Sequence, residues 1–199
     1  MGEMGMTDWS LPRDEIPSLT SRYVDITYMT GELAESWEQP DLLTNIFHIR
    51  KGVHWHDKPP MNGREVTAYD IEFTLNRIMG LGEFAEAGPS PFRSALASIP
   101  VESVTATDEW TLEVKASSFD FITIEKLLGA GDGMDSFVVP PEVIREHGDM
   151  TDWRNVVGTG PYMLTEFVSG SSLTLTRNPN YWKDDPIFPD LDLRLPYAD

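Results

Sequence analysis

Gly158-Thr159-Gly160-Pro161-Tyr162 opens the stretch on which the reading of this chain turns. It runs into Met163-Leu164-Thr165-Glu166-Phe167-Val168, breaks at Gly170-Ser171, and returns as Ser172-Leu173-Thr174-Leu175-Thr176-Arg177. Leu173 and Leu175 alternate with Thr174 and Thr176, the period-two signature of a strand with one apolar face. Two such runs around a Gly-Ser break predict a β-hairpin. Gly158 and Gly160 suit backbone geometry that other residues resist, and Pro161 stiffens the exit. Asn178-Pro179-Asn180-Tyr181-Trp182 then caps the hairpin. Its two large rings suit a structural plug, with Trp182 wedged into the core.

Upstream, Leu43 to Arg50 carries Ile46, Phe47 and Ile49 among Asn45, His48 and Arg50, which fits a half-buried strand. Val53 and Trp55 alternate with His54 and His56, predicting a second short strand before the Lys58-Pro59-Pro60 and Asn62-Gly63 loop. Thr67 starts the clearest helix. It is placed to accept from the Asp70 N–H, and Asp70 suits the positive end of the helix dipole. Ile71, Leu75 and Ile78 share one face, and Gly80 and Gly82 end the pattern. Ser90-Pro91 predicts a short helix through Ala97. Val101–Val104 and Trp110–Val114 read as strands joined by Thr107-Asp108-Glu109. Phe119–Leu128 reads as an amphipathic helix, and Pro141 starts another that Gly148 stops. Asp190–Leu195 alternates leucine with charge, as a last strand. Residues 1–32 are weakly patterned, a loop or a torn edge.

The 199 residues carry 33 acidic and 15 basic side chains, a formal charge of −18. That sign repels phosphate backbones and anionic membrane surfaces, so nucleic acid is excluded as a partner. A solvated acidic surface explains it, with steering of cationic ligands as the sharper reading. Hydrophobic residues at 40 % supply a real core. No apolar run approaches the ~20 residues that span a bilayer, so no insertion of this segment into a membrane is expected. Met1–Ser10 shows no basic start followed by an apolar stretch, so no signal peptide is expected in it. With no cysteine, disulfides, thiolate metal sites and cysteine nucleophiles are excluded.

Chemistry-bearing patterns are sparse. His54 and His56, at i and i+2 on a strand, point the same way, yet they offer too few donors for a metal site. Gly129–Gly133 lacks the Lys-Ser/Thr of a phosphate loop and holds Asp132, with Asp135 close behind, so a flexible cleft loop fits better. No Gly-x-Ser-x-Gly elbow exists. Asp184-Asp185 lies among prolines as surface. Neither cofactor nor catalytic residue is expected.

Two ordered blocks go beyond these generalities. The first is Leu33-Ala34-Glu35-Ser36-Trp37-Glu38, then Phe47-His48-Ile49-Arg50-Lys51-Gly52-Val53, His56-Asp57, Val66-Thr67-Ala68, Asp70 and Phe73-Thr74-Leu75. The second is Gly158–Tyr162 followed by Arg177–Trp182. Together, from about Leu33 onward, they resemble the extracellular solute-binding proteins, family 5, that carry dipeptides, oligopeptides and nickel to ABC importers.

The resemblance implies an α/β fold, a venus-flytrap of the second periplasmic-binding class, here as an internal fragment. It implies a small extra domain of the first lobe at 33–157, strands returning to the main first lobe at 158–199, and an absent second lobe. It further implies a non-enzymatic receptor, periplasmic or a cell-surface lipoprotein, whose partners are a peptide or other small solute and the permease subunits. Ligand lies between lobes in this family, so this segment alone is expected to bind weakly. The segment after Ser90-Pro91 and the loop before Pro140 then become cleft candidates, namely Phe92, Met134, Asp135, Ser136 and Phe137. That loop offers no arginine of the kind expected in nickel-binding members, which leaves peptide or another small solute ahead. The alternative is a ligand-sensing module of the same fold in a cytoplasmic regulator. A hydrolase is the third, disfavoured reading.

Overall fold

The computed structural model describes residues 2–8, 10–12, 14, 25–90, 96, 99–129 and 137–183. Its centre is a four-stranded antiparallel sheet in the order β3 (Ala34–Glu38), β4 (Thr44–Ile49), β6 (Thr111–Ala116), β5 (Val101–Asp108). On β4, Asn45, Phe47 and Ile49 turn inward, the two-residue period expected of a sheet with one buried face. Phe47 sits opposite Trp37 on one side and Leu112 on the other.

Helix α1 (Ala68–Met79) lies against β5 and β6 and buries Ala68, Ile71 and Leu75 into the shared core. Its start is built as a capping box closed from the acidic side. The Thr67 N–H donates to Asp70 Oδ2 at 3.0 Å, while the Asp70 N–H reaches the Thr67 carbonyl at 3.1 Å. Its end is the left-handed Gly80, φ 68°, where an added Cβ would stand 2.4 Å from the Pro89 nitrogen. No other residue suits that close approach.

The weakly patterned N-terminal part contributes structure. Strands β1 (Gly5–Thr7) and β2 (Met29–Gly31) pair antiparallel. Gly2 bridges Val138, and the Leu33 and Ala34 N–H groups donate to the Glu3 and Met4 carbonyls. Helix α2 (Thr123–Leu128) is shorter than its sequence pattern. Asp120 accepts from Lys126 Nζ at 2.9 Å and from the Ile122 N–H at 3.5 Å, so an aspartate turn occupies the expected first turn and leaves Phe119 and Phe121 exposed. Helix α3 (Pro141–His147) starts at its proline and stops at Gly148, as expected. The expected strand at Val53–Trp55 is only a single bridge, His54 to Glu65. Strand β5 runs through Asp108, four residues past its expected end at Val104, so Thr107 and Asp108 of the expected turn belong to the strand, and β6 begins at Thr111. The helix from Ser90-Pro91 through Ala97 lies almost wholly outside the described residues. The strand at Asp190–Leu195 lies wholly outside them.

Strands β7 (Tyr162–Val168) and β8 (Ser172–Arg177) form the expected hairpin, with Leu164 opposite Leu175 and Phe167 opposite Leu173. This two-stranded sheet stands apart from the four-stranded one, and its apolar face is exposed. Among the described residues, no helix is long and apolar enough to cross a membrane.

Candidate functional site

Two cavities compete for attention. The larger, about 570 Å³, lies between α1, the turn at Gly82–Phe84 and α3. Its polar wall is committed to structure. The Arg64 guanidinium donates twice to Asp70 (2.9 and 2.6 Å) and twice to Glu142 (2.7 and 2.7 Å). Asp70 also accepts from Trp55 Nε1 at 3.3 Å. The smaller cavity, about 270 Å³, is lined by Glu3, Glu32 and Leu33 on one side, Thr159, Gly160 and Pro161 on another, and Phe137, Tyr181 and Trp182 on a third. Here the two sequence blocks meet a cleft candidate, which makes it the better site.

Hydrogen bonds over long sequence separation fix its floor. The His56 N–H donates to the Gly158 carbonyl at 2.7 Å, and the Gly158 N–H donates to His56 Nδ1 at 3.2 Å. His56 Nε2 therefore carries the proton and donates to the Gly160 carbonyl at 3.0 Å. Asn178, 3 % exposed, sends its Nδ2 to the same carbonyl at 3.1 Å and its own N–H to the Pro161 carbonyl at 2.7 Å. Lys58 Nζ ties the Val156 and Leu164 carbonyls at 3.0 and 3.1 Å.

The walls combine aromatic rings with charge. Trp182 is flanked by Arg50, 5.0 Å from the ring centroid, and Lys183, 4.9 Å away. Lys183 also pairs with Glu32. Glu3 has no such partner among the described residues, and burial, then the charge of Glu32, pushes its carboxyl up to about 7. The site thus offers one neutralised carboxylate, one carboxyl that titrates near neutrality, and three rings.

Of the expected cleft residues, Phe137 lines the cavity. Phe92, Met134, Asp135 and Ser136 lie outside the described residues. Tyr162 is exposed at the start of β7 and Pro179 is exposed as well, and neither is part of the lining. The glycine reading needs correction. Neither Gly158 nor Gly160 has a positive φ, and a Cβ on Gly160 would meet open space. Gly160 serves by its carbonyl, and the left-handed glycine of this region is Gly170, φ 73°, in the hairpin turn. Trp182 is partly buried, not sealed in the core. His54 and His56 engage different partners, the Gly63 carbonyl and the 158–160 turn, so they do not converge on one ion. Glu3, Glu32, Lys183 and His56 carried no local signal for this role, because their partners lie far along the chain.

The family model for bacterial extracellular solute-binding proteins, family 5 Middle, matches residues 29–195. This chain belongs to that family. Among relatives of the family-5 chain, the periplasmic oligopeptide-binding protein OppA of Haemophilus influenzae is 28 % identical over 170 residues, covering 76 % of this chain and 28 % of that protein. Di/tripeptide-binding protein 1 of Pseudomonas aeruginosa is 26 % identical over 164 residues, covering 78 % and 30 %. The crystal structure of H. influenzae OppA with the peptide RPPGFSPFR superposes with a TM-score of 0.65 at 25 % identity, over 92 % of this chain and 33 % of that one. Helicobacter pylori DppA with the peptide STSA gives 0.61 at 26 % identity, over 78 % and 32 %. The fold is the α/β fold of periplasmic binding proteins, and the family-5 chain spans about a third of the length of these relatives.

Proposed function

We propose that this chain is part of the substrate-binding component of an ABC importer, capturing a peptide or related small solute outside the cytoplasm and delivering it to the membrane permease. The observation that carries the reading is the family match over residues 29–195, with both of its sequence blocks meeting at one cavity. Relatives named for binding oligopeptides and di- or tripeptides support peptide as the ligand class. The cavity suits such a ligand, since rings and carboxyl groups accept apolar side chains and ammonium groups. The role is capture, not catalysis. Residues 33–157 act as the small extra domain and 158–199 begin the return to the main lobe. Support for that division comes from the separate hairpin sheet and the single core shared by β3–β6 and α1.

The test is amide-resolved NMR of this chain with millimolar di-, tri- and tetrapeptides. Shifts confined to the amides of Phe137, Thr159, Gly160, Tyr181 and Trp182 are expected. Saturable shifts at the Arg64–Glu142 cavity instead, or none anywhere, would overturn the assignment of the site.

A further inference from the structure

We propose that His56 is the positioning residue for the Gly158–Pro161 wall of the cavity, and that protonating it releases that wall. The inference rests on hydrogen-bond geometry and holds whatever enters the cavity. His56 Nδ1 accepts from the Gly158 N–H at 3.2 Å, while Nε2 donates to the Gly160 carbonyl at 3.0 Å. Only the neutral ring with its proton on Nε2 makes both bonds. An imidazolium keeps the bond to Gly160. On the other nitrogen it places a proton against the Gly158 N–H, donor against donor, and the turn has to step back. The His56 residue is 4 % exposed, so no water shell replaces the lost acceptor.

The nearest positive charge works in the same direction. Lys58, two residues on, is held between the Val156 and Leu164 carbonyls, and its positive charge disfavours a second cation. The packed segment 156–161 carries no titratable side chain, so no charge on it rewards protonation, and only the Gly160 carbonyl favours the cation. Across the cavity stand Glu3 and Glu32, the latter paired with Lys183. Asp57 flanks the ring in sequence. Burial lowers the imidazole below its ordinary value, with the Gly160 bond opposing. For a base lowered in the fold, the wall's stability is complete above about 6.5 and is lost as pH falls through the folded value. Glu3 runs the opposite way, since it takes up its proton near 7 and is then better tolerated.

Hydrogen exchange of the Gly158 amide reads the contact directly. Its protection, corrected for intrinsic exchange and referenced to Phe47 in the sheet, is expected to fall about tenfold or more from about pH 8 to about pH 5. Ring-nitrogen NMR of His56 should titrate with the same midpoint. In His56→Asn the side-chain oxygen stands near the former Nδ1 and does not titrate, so Gly158 should stay protected across the range. Constant protection in the unaltered chain overturns the proposal, as does a pH-dependent loss that persists in His56→Asn. A loss that vanishes in Glu3→Gln assigns the switch to Glu3 and overturns it too. If His56→Asn does not fold, mismatched midpoints in the unaltered chain decide the matter alone.

Discussion

Trp182 sits between Arg50 and Lys183, with one side on the core and another on the cavity. Full burial would make truncation cost ~3–5 kcal/mol, so a partly buried ring should cost about 2 kcal/mol. Chemical denaturation of Trp182→Ala should show that loss, and Trp182→Phe should recover most of it. A loss near zero would place the ring outside the fold's energetics altogether. Glu3 makes a second prediction. Its carboxyl is raised, so the stability it contributes is complete below about 4.5 and is lost as pH rises through about 7. Glu3→Gln should flatten the melting temperature across that window and stabilise the chain at pH 8. Screening at this half-exposed group limits the gain to about 1 kcal/mol. A melting curve that keeps its slope in Glu3→Gln would assign the titration elsewhere.

Between elements, Thr74 ties α1 to the approach of α3. Its hydroxyl donates to the Asp70 carbonyl at 2.9 Å and accepts from the Val139 N–H at 3.1 Å. Thr74→Val keeps the shape but leaves that N–H without an acceptor, so unfolding free energy should drop by about 1–3 kcal/mol. Arg64→Ala should cost more, about 3–5 kcal/mol, because Asp70, at 2 % exposure, would keep its charge without its bidentate partner. Urea titrations that rank the two the other way would contradict this account of the α1–α3 contact. The elements themselves divide by how local their causes are. Strand β4, helix α1 and the β7–β8 hairpin were legible because alternation, an acidic first turn and a glycine stop all lie within a dozen residues. The start of α2 was not legible, because Asp120 spends its carboxylate on Lys126 and Ile122 where the pattern alone suggests a helical turn. Nor was the β1–β2 pair, since Gly5 finds Gly31 across a segment with no periodicity.

At the scale of the whole molecule, the family was legible from two ordered blocks, while the cavity they form was not. Its lining comes from residues near 3, 32, 137, 160 and 182, and no sequence window holds more than one wall. At about 270 Å³ it is slightly smaller than the usual ~300–1,000 Å³ ligand pocket, so it can bury only part of a peptide. Calorimetry with a di- and oligopeptide library should therefore find dissociation constants of this chain weaker than about 1 μM. A tighter complex would mean that one wall suffices. The bonds that hold the 156–164 segment to the loop at His56–Lys58 also bear on how the chain assembles during synthesis. The four-stranded sheet is complete once Ala116 has been made, whereas His56 and Lys58 wait for carbonyls 98 to 106 residues along the chain. At ~5–20 residues per second, the ribosome needs roughly 2–8 s to travel from there to the 158–160 turn. Throughout that interval a nascent domain whose sheet is paired, but whose core still gathers Leu127, Leu128, Val138, Val143 and Val157, presents an unsatisfied loop, and the arrival of the 156–164 segment is the event that closes it.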